Sequence, residues 1–399
     1  MASSASVAKK IPVATNGTVL LHIDFLLLGI VMTFLGPMLP ALSARWSLND
    51  AGSGALIFAE FFTSMFGMLL SGSLIERLGY RITLIIGLIF MASGMALLAS
   101  GPWLLGIIAV STFGVGYGIT SPAGNLRTAE VNPEKSASAL NVINAVWGVG
   151  AMSSPVLVEI AQRAHHASAF LYGTAAALVL LFFALTATRF VPDLSTHIAS
   201  VSNQESPLWK SPILPVICTL FFIYVGTETS FGGWVATYAR RIETGRSPLA
   251  TVAPAFFWGA LLLGRSLAPI ALKFHAATTV ARGGLATALL GAVLLISAHG
   301  LAIVIAGTLL AGLGMASIFP ISVSLLPDWF GGSARQASSL VFASGNLGGA
   351  MLPWVLGLVS THYSSLRLAF CIPVIGAASM LLFYLVQRPR HAIETVAAD

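Results

Sequence analysis

Charge is what this 399-residue chain lacks most. Asp, Glu, Lys and Arg together make up 9% of it, while hydrophobic residues make up 56%. A soluble domain carries about 25% charged residues, so there is too little charge here to coat a water-facing surface. That excludes a soluble enzyme, a nucleic-acid binder and a disordered chain. Cysteine is nearly absent too. Cys218 and Cys371 both lie in apolar runs with no metal-ligand spacing, so neither a disulfide framework nor a metal site is expected. There is no Walker loop, no GxSxG, no HExxH and no Cys–His cluster. ATP hydrolysis and intramembrane proteolysis therefore lack their groups, and no cofactor is expected.

What is present is apolar sequence in runs long enough to cross a bilayer. About twelve are read, at 19–42, 51–75, 82–100, 103–127, 138–162, 167–190, 212–239, 250–274, 277–299, 301–326, 334–361 and 364–387. The expected class is an all-α membrane protein with twelve transmembrane helices. Residues 1–18 read as an N-terminal tail, 19–190 as a first six-helix bundle and 191–211 as a linker. Residues 212–387 read as a second bundle and 388–399 as a C-terminal tail. No signal peptide is read. With the N-terminus inside, Arg45, Arg163, Arg240, Arg241, Arg246 and Arg367 fall on the outer side, and the other 14 of the 20 Lys and Arg fall inside. Both termini are then cytoplasmic by the positive-inside rule, and the Asn16-Gly17-Thr18 sequon is on the wrong side for glycosylation.

The two halves repeat. Gly114, Gly116, Pro122, Gly150 and Pro155 each have the same residue 198 positions later, at Gly312, Gly314, Pro320, Gly348 and Pro353. Gly29 and Gly36 pair with Gly226 and Gly233 at 197. Parallel repeats of six spans are a transporter architecture, with the substrate site near the midplane between the halves.

Ionisable residues inside apolar spans are costly and mark functional candidates. Glu228 lies roughly 22 Å into the seventh span and Glu60 roughly 14 Å into the second. Asp24 is shallow in the first, near His22. All three are proton-coupling candidates, Glu228 foremost. Tyr224, Glu228, Phe231, Val235 and Tyr238 share one helical face, and Thr227, Ser230 and Trp234 an adjoining one. Against this, Glu228 could be a permanently neutral or Arg-paired helix clamp. Glu60 sits in a small, polar face with Ser64, Gly67 and Ser71 that suits helix packing. Arg265 needs a carboxylate partner or an anionic substrate.

Neutral polar groups point to the substrate class. Asn125, Asn141, Asn144 and Asn346 offer donors and acceptors suited to a polyhydroxylated ligand. Trp147, Trp234, Trp258 and Trp354 are embedded in spans. Most such indoles only pack, but Trp234, near Glu228, is expected to be a stacking platform. The expected substrate-binding set is Asn125, Asn141, Asn144, Trp147, Tyr224, Glu228, Trp234, Trp258 and Asn346.

The loop Gly72-Ser73-Leu74-Ile75-Glu76-Arg77-Leu78-Gly79-Tyr80-Arg81 resembles the signature loop of the major facilitator superfamily. The resemblance implies the major facilitator fold and a cytoplasmic latch made by Gly72, Glu76, Arg77, Gly79, Arg81 and, from a degraded copy in the second half, Arg265. Gly72 would allow close helix approach, and Glu76 would bind a neighbouring helix N-terminus.

Tyr224–Trp234 with Tyr238, and the stretch from Gly114 to Gly150, are similar to the fucose-permease group of sugar–proton symporters. In that group the coupling acids lie on the first and fourth spans. Here the fourth-span acid is missing, so coupling does not transfer by position. The fifth span also lacks the Gly-Pro-x-x-Gly-Gly element of drug–proton antiporters. The expected function is secondary active transport by alternating access, with proton-coupled uptake of a neutral sugar or similar solute. The alternatives are a proton-driven drug exporter, a sodium-coupled sugar symporter and a non-transporting receptor. The expected partners are a small-molecule substrate, a coupling ion (proton or sodium) and the lipid bilayer, but no nucleic acid. A monomer in a bacterial inner membrane is expected.

Overall fold

The computed structural model describes residues 15–188, 211–243, 247–324 and 326–386, and all of its regular structure is helical. Residues 1–14 of the expected N-terminal tail, the whole C-terminal tail and nearly all of the expected 191–211 linker lie outside the described residues. So do Lys9, Lys10, Arg189, Lys210, Arg246, Arg388 and Arg390. Residues 15–18, expected in the tail, already belong to the first helix.

Among the described residues, ten helices are long and apolar enough to cross a membrane. Thr15–Thr33 and Leu35–Trp46 add an eleventh crossing as one span bent by 43°. The helix Asp50–Ser100 is 51 residues, or about 76 Å at 1.5 Å per residue, which is two bilayer thicknesses. Gly79 divides it, with φ 77° and ψ 167°. That backbone is closed to a β-carbon, so the glycine inside the signature loop is where the second span turns into the third. This division brings the crossings to the twelve expected from sequence.

The remaining spans are Trp103–Val131, Ser136–Arg163, Ala167–Ala187, Ile213–Ile242, Pro248–Phe274 and Ala277–Ile296. The tenth is Leu301–Met315 continued by Ile318–Ser324, the eleventh is Ala334–Tyr363, and the twelfth is Leu366–Ala369 with Cys371–Val386. Local chemistry starts several of them. Asn49 Oδ1 accepts from Gly52 N at 2.9 Å at the head of the second span. Ser247 caps the eighth, with Pro248 in its first turn.

The repeated glycines are where backbones touch. In the first half, a β-carbon on Gly114 would strike Glu60 O of the second span, and one on Gly116 would strike Gly87 O of the third. In the second half, Gly312 is set the same way against Phe257 O of the eighth span and Gly314 against Gly284 O of the ninth. Gly150 packs on Leu26 O, joining the first and fifth spans, and Gly348 packs on Phe222 O, joining the seventh and eleventh. The sequence repeat is therefore a repeat of helix contacts, and the molecule is two pseudo-symmetric six-helix bundles. Gly36 and Gly233, repeat mates, meet each other across the pseudo-twofold axis.

A group of polar contacts joins the halves at one end. The face where the chain starts is here called the N-terminal face, and the other the far face. On the far face, Arg241 pairs with Asp50, and Asp50 also accepts from Ser360. Ala51 N donates to Thr361 Oγ1 at 2.8 Å, and Arg240 donates to Gln162 Oε1 at 2.7 Å. Gly54 lies against the backbone of Pro353 and Trp354. Nearer mid-span, Asn346 Nδ2 donates to Met68 Sδ at 3.2 Å, again joining the halves. The halves are thus closed together at the far face.

Candidate functional site

At mid-span, below the closed far face, the charged and aromatic groups converge. Glu228 of the seventh span and Arg265 of the eighth form an ion pair, Oε1 to Nη2, at 3.4 Å. Tyr224, one turn before Glu228, interacts with both partners and points its hydroxyl to Met315 O at 3.4 Å. The Arg265 guanidinium also lies over the Phe319 ring, 6.0 Å from its centroid. Each group restrains the next. The pair cancels its own charge, and the tyrosine and phenylalanine fix the arginine's plane.

The first half supplies the opposite wall. Tyr117 of the fourth span lies beside Ser121 and Trp147 and within electrostatic reach of Glu60 and Glu228. Trp147 of the fifth span meets Trp258 of the eighth edge to face, with centroids 5.8 Å apart, so one aromatic contact crosses the halves. Toward the N-terminal face, Asn144 Nδ2 donates to Asn125 Oδ1 at 3.1 Å, and Asn346 stands half-buried on the eleventh span. Asn141 is exposed one turn further out.

Several polar atoms here are buried with no hydrogen-bond partner: Glu60 Oε1, Trp147 Nε1, Trp258 Nε1 and Arg265 Nε. A buried orphan donor or acceptor costs about 1–3 kcal/mol. A cluster of them marks a place whose polar groups are completed by something other than the protein.

The expected residues thus divide. Tyr224, Glu228, Arg265, Trp147 and Trp258 come together at the centre, with Glu60 near. Asn125, Asn144, Asn141 and Asn346 line the approach from the N-terminal face. Trp234 does not join them. It is completely buried, its indole donates to Pro353 O at 2.9 Å, and it locks the seventh span to the eleventh. Asp24 is also apart, buried with both Oδ atoms unpartnered.

Of the latch residues, Glu76 and Arg77 are exposed, and Gly72 faces open space where close helix approach was expected. Arg81 donates to Leu185 O at 3.1 Å and to Thr186 O, holding the end of the sixth span as a cation suits a helix C-terminus. Arg265 reaches Glu228 and not this loop. Tyr117, Phe319, Met68, Gln162 and the Asp50–Arg241 pair were missed. Tyr117 had a signal, being flanked by Gly116 and Gly118. Those glycines press into the third and second spans and leave the tyrosine ring to project away from them.

Among the described residues, no group of three or more His, Cys, Asp or Glu could hold a metal ion. Two bundles, twelve crossings and a polar centre between them define the architecture, and the sequence itself matches the Major Facilitator Superfamily over residues 24–298. The chain belongs to that superfamily.

It is a transporter and not an enzyme. It is 25% identical to the glucose/galactose transporter of Brucella abortus over 91% of this chain and 92% of that one. It is 23% identical to the sodium-dependent glucose transporter 1 of Danio rerio over 85% of this chain and 63% of that one. The E. coli fucose:proton symporter FucP shares the fold, with a TM-score of 0.64 at 20% identity, covering 94% of this chain and 98% of that one.

Proposed function

We propose that this chain takes up a neutral sugar by proton symport, binding it between Trp147, Trp258, Tyr117, Tyr224 and the Glu228–Arg265 pair. The observation that carries the reading is that ion pair. The two strongest charges in the centre neutralise each other, so the site asks for a ligand with hydroxyls and no net charge. The orphaned indole N–H groups and the amides of Asn125, Asn144 and Asn346 supply the donors and acceptors such a ligand needs. The glucose and galactose of the Brucella relative fit that chemistry.

Coupling rests on acids that can change protonation. Glu60 has an oxygen without a donor and Asp24 has two, so these are the acids free to exchange the coupling proton. Glu228 reports sugar through Arg265 and Tyr224. With both termini cytoplasmic in a bacterial inner membrane, the closed far face is the outer one, and the conformation described is shut to the outside.

Uptake of a sugar panel into proteoliposomes tests the reading. Accumulation that needs an inward proton gradient supports it. Accumulation that needs sodium instead assigns the coupling named for the Danio relative. Lipophilic cations that move while sugars do not would replace the reading with drug export.

A further inference from the structure

A crevice of about 770 Å³ lies between the fifth, eighth and tenth spans, on faces turned away from the central site. Met152 and Val156 line it from the first half. Ala255, Gly259, Leu263 and Leu313 line it from the second. Met152 is five residues beyond Trp147, about 140° round the helix at 3.6 residues per turn, and Gly259 is about 100° round from Trp258. Met152, Val156, Leu263 and Leu313 are exposed. The crevice therefore opens sideways, where a spanning helix meets lipid. Its one polar side chain, Ser153, has its hydroxyl satisfied by Val149 O at 2.7 Å. Nothing in the crevice asks for a hydrogen bond.

The stripe Met152–Val156 continues up the same face to Arg163, seven residues or about 10 Å above Val156, at the far-face end of the span. Arg163 is 60% exposed. Its Nε is held by Glu159 Oε1 at 2.9 Å, which fixes the guanidinium, and its Nη groups have no partner among the described residues. An apolar slot with a fixed cation at the depth of the headgroups has the complementarity of a lipid.

We propose that this crevice is a phospholipid site, with one acyl chain seated between the two halves and the phosphate on Arg163. The fifth span belongs to one half, and the eighth and tenth to the other, so rocking of the halves reshapes the slot. A lipid that fits it in this conformation favours this conformation.

Native mass spectrometry of the full chain, titrated with dioleoyl phosphatidylglycerol from detergent, tests this independently of any sugar. One retained lipid is expected. Ala255→Phe, which fills the slot, removes it. Arg163→Ala removes that cation and weakens retention about tenfold, the worth of one charge-assisted hydrogen bond. Equal retention by the parent and Arg163→Ala overturns the proposal whether or not Ala255→Phe folds. So does a dimer that forms through this face and is lost in Ala255→Phe.

Discussion

Glu228 and Glu60 sit within reach of the same tyrosine yet differ in what surrounds them. Glu228 has Arg265 at 3.4 Å, while Glu60 Oε1 has no donor at all. Their neutral isosteres should therefore fail differently. Glu228→Gln leaves a guanidinium without its counter-charge in the sugar site, so sugar binding and uptake both fall, by about tenfold or more. Glu60→Gln keeps the size and the neutrality of a protonated acid. Sugar counterflow without a gradient should persist, while accumulation driven by an inward proton gradient is lost. Equal accumulation by Glu60→Gln and the parent would remove Glu60 from coupling. The two acids and Arg265 were legible because a charge in an apolar run has no cheap explanation. Tyr117 was less so, since a tyrosine in such a run is ordinary and its one signal was the glycine on either side of it. Trp234 misled because helical spacing tells which residues share a face but not whether that face meets the cavity or a neighbouring helix of its own bundle.

The glycines matter as pieces of helices. Gly150 and Gly348 occupy corresponding places in the two halves, each pressed on a carbonyl of the neighbouring helix, whereas Gly72 faces open space. Gly348→Leu must push the eleventh span off the seventh and should lower the apparent melting temperature by roughly 5 °C. Gly72→Leu should leave it within about 1 °C, since a surface change away from packing is worth little. A shift of equal size in both variants would contradict the packing account. These contacts were readable as a constant offset in the sequence because backbone approach tolerates no other residue. The division of Asp50–Ser100 at Gly79 and the bend between Thr33 and Leu35 were less visible. Apolar composition marks a crossing, but it does not say where a helix bends or whether two crossings run on as one helix.

For the molecule as a whole, the closed far face is the feature that fixes its conformation. Asp50, Arg241 and Ser360 join the second, seventh and eleventh spans there, and Gln162, Arg240 and Thr251 tie the fifth and eighth to the same seventh span. Arg241 is 47% exposed, so the pair is weak as a stability term. It acts by counting only in the closed state, and removing it shifts the balance toward opening at that face. Ile57 is buried against Gly233 between the halves. With Cys218 and Cys371 changed to Ser, Ile57→Cys should react slowly with an impermeant thiol reagent and about tenfold faster once Arg241→Ala is added. An unchanged rate would show that these contacts do not hold the far face shut. The twelve crossings and the twofold repeat were legible from the sequence. Which face is closed was not, because both conformations use the same helices and differ only in which ends touch.

In the proposed cycle, protons drive a neutral sugar through the site between Trp147, Trp258 and the Glu228–Arg265 pair. Radiolabelled glucose and galactose uptake into proteoliposomes, with and without an inward proton gradient and with sodium absent, tests it most directly. Accumulation above equilibrium is expected only when the gradient is present, and it is expected to be lost in Glu228→Gln. Equilibration without accumulation, or the same accumulation in Glu228→Gln, would contradict it.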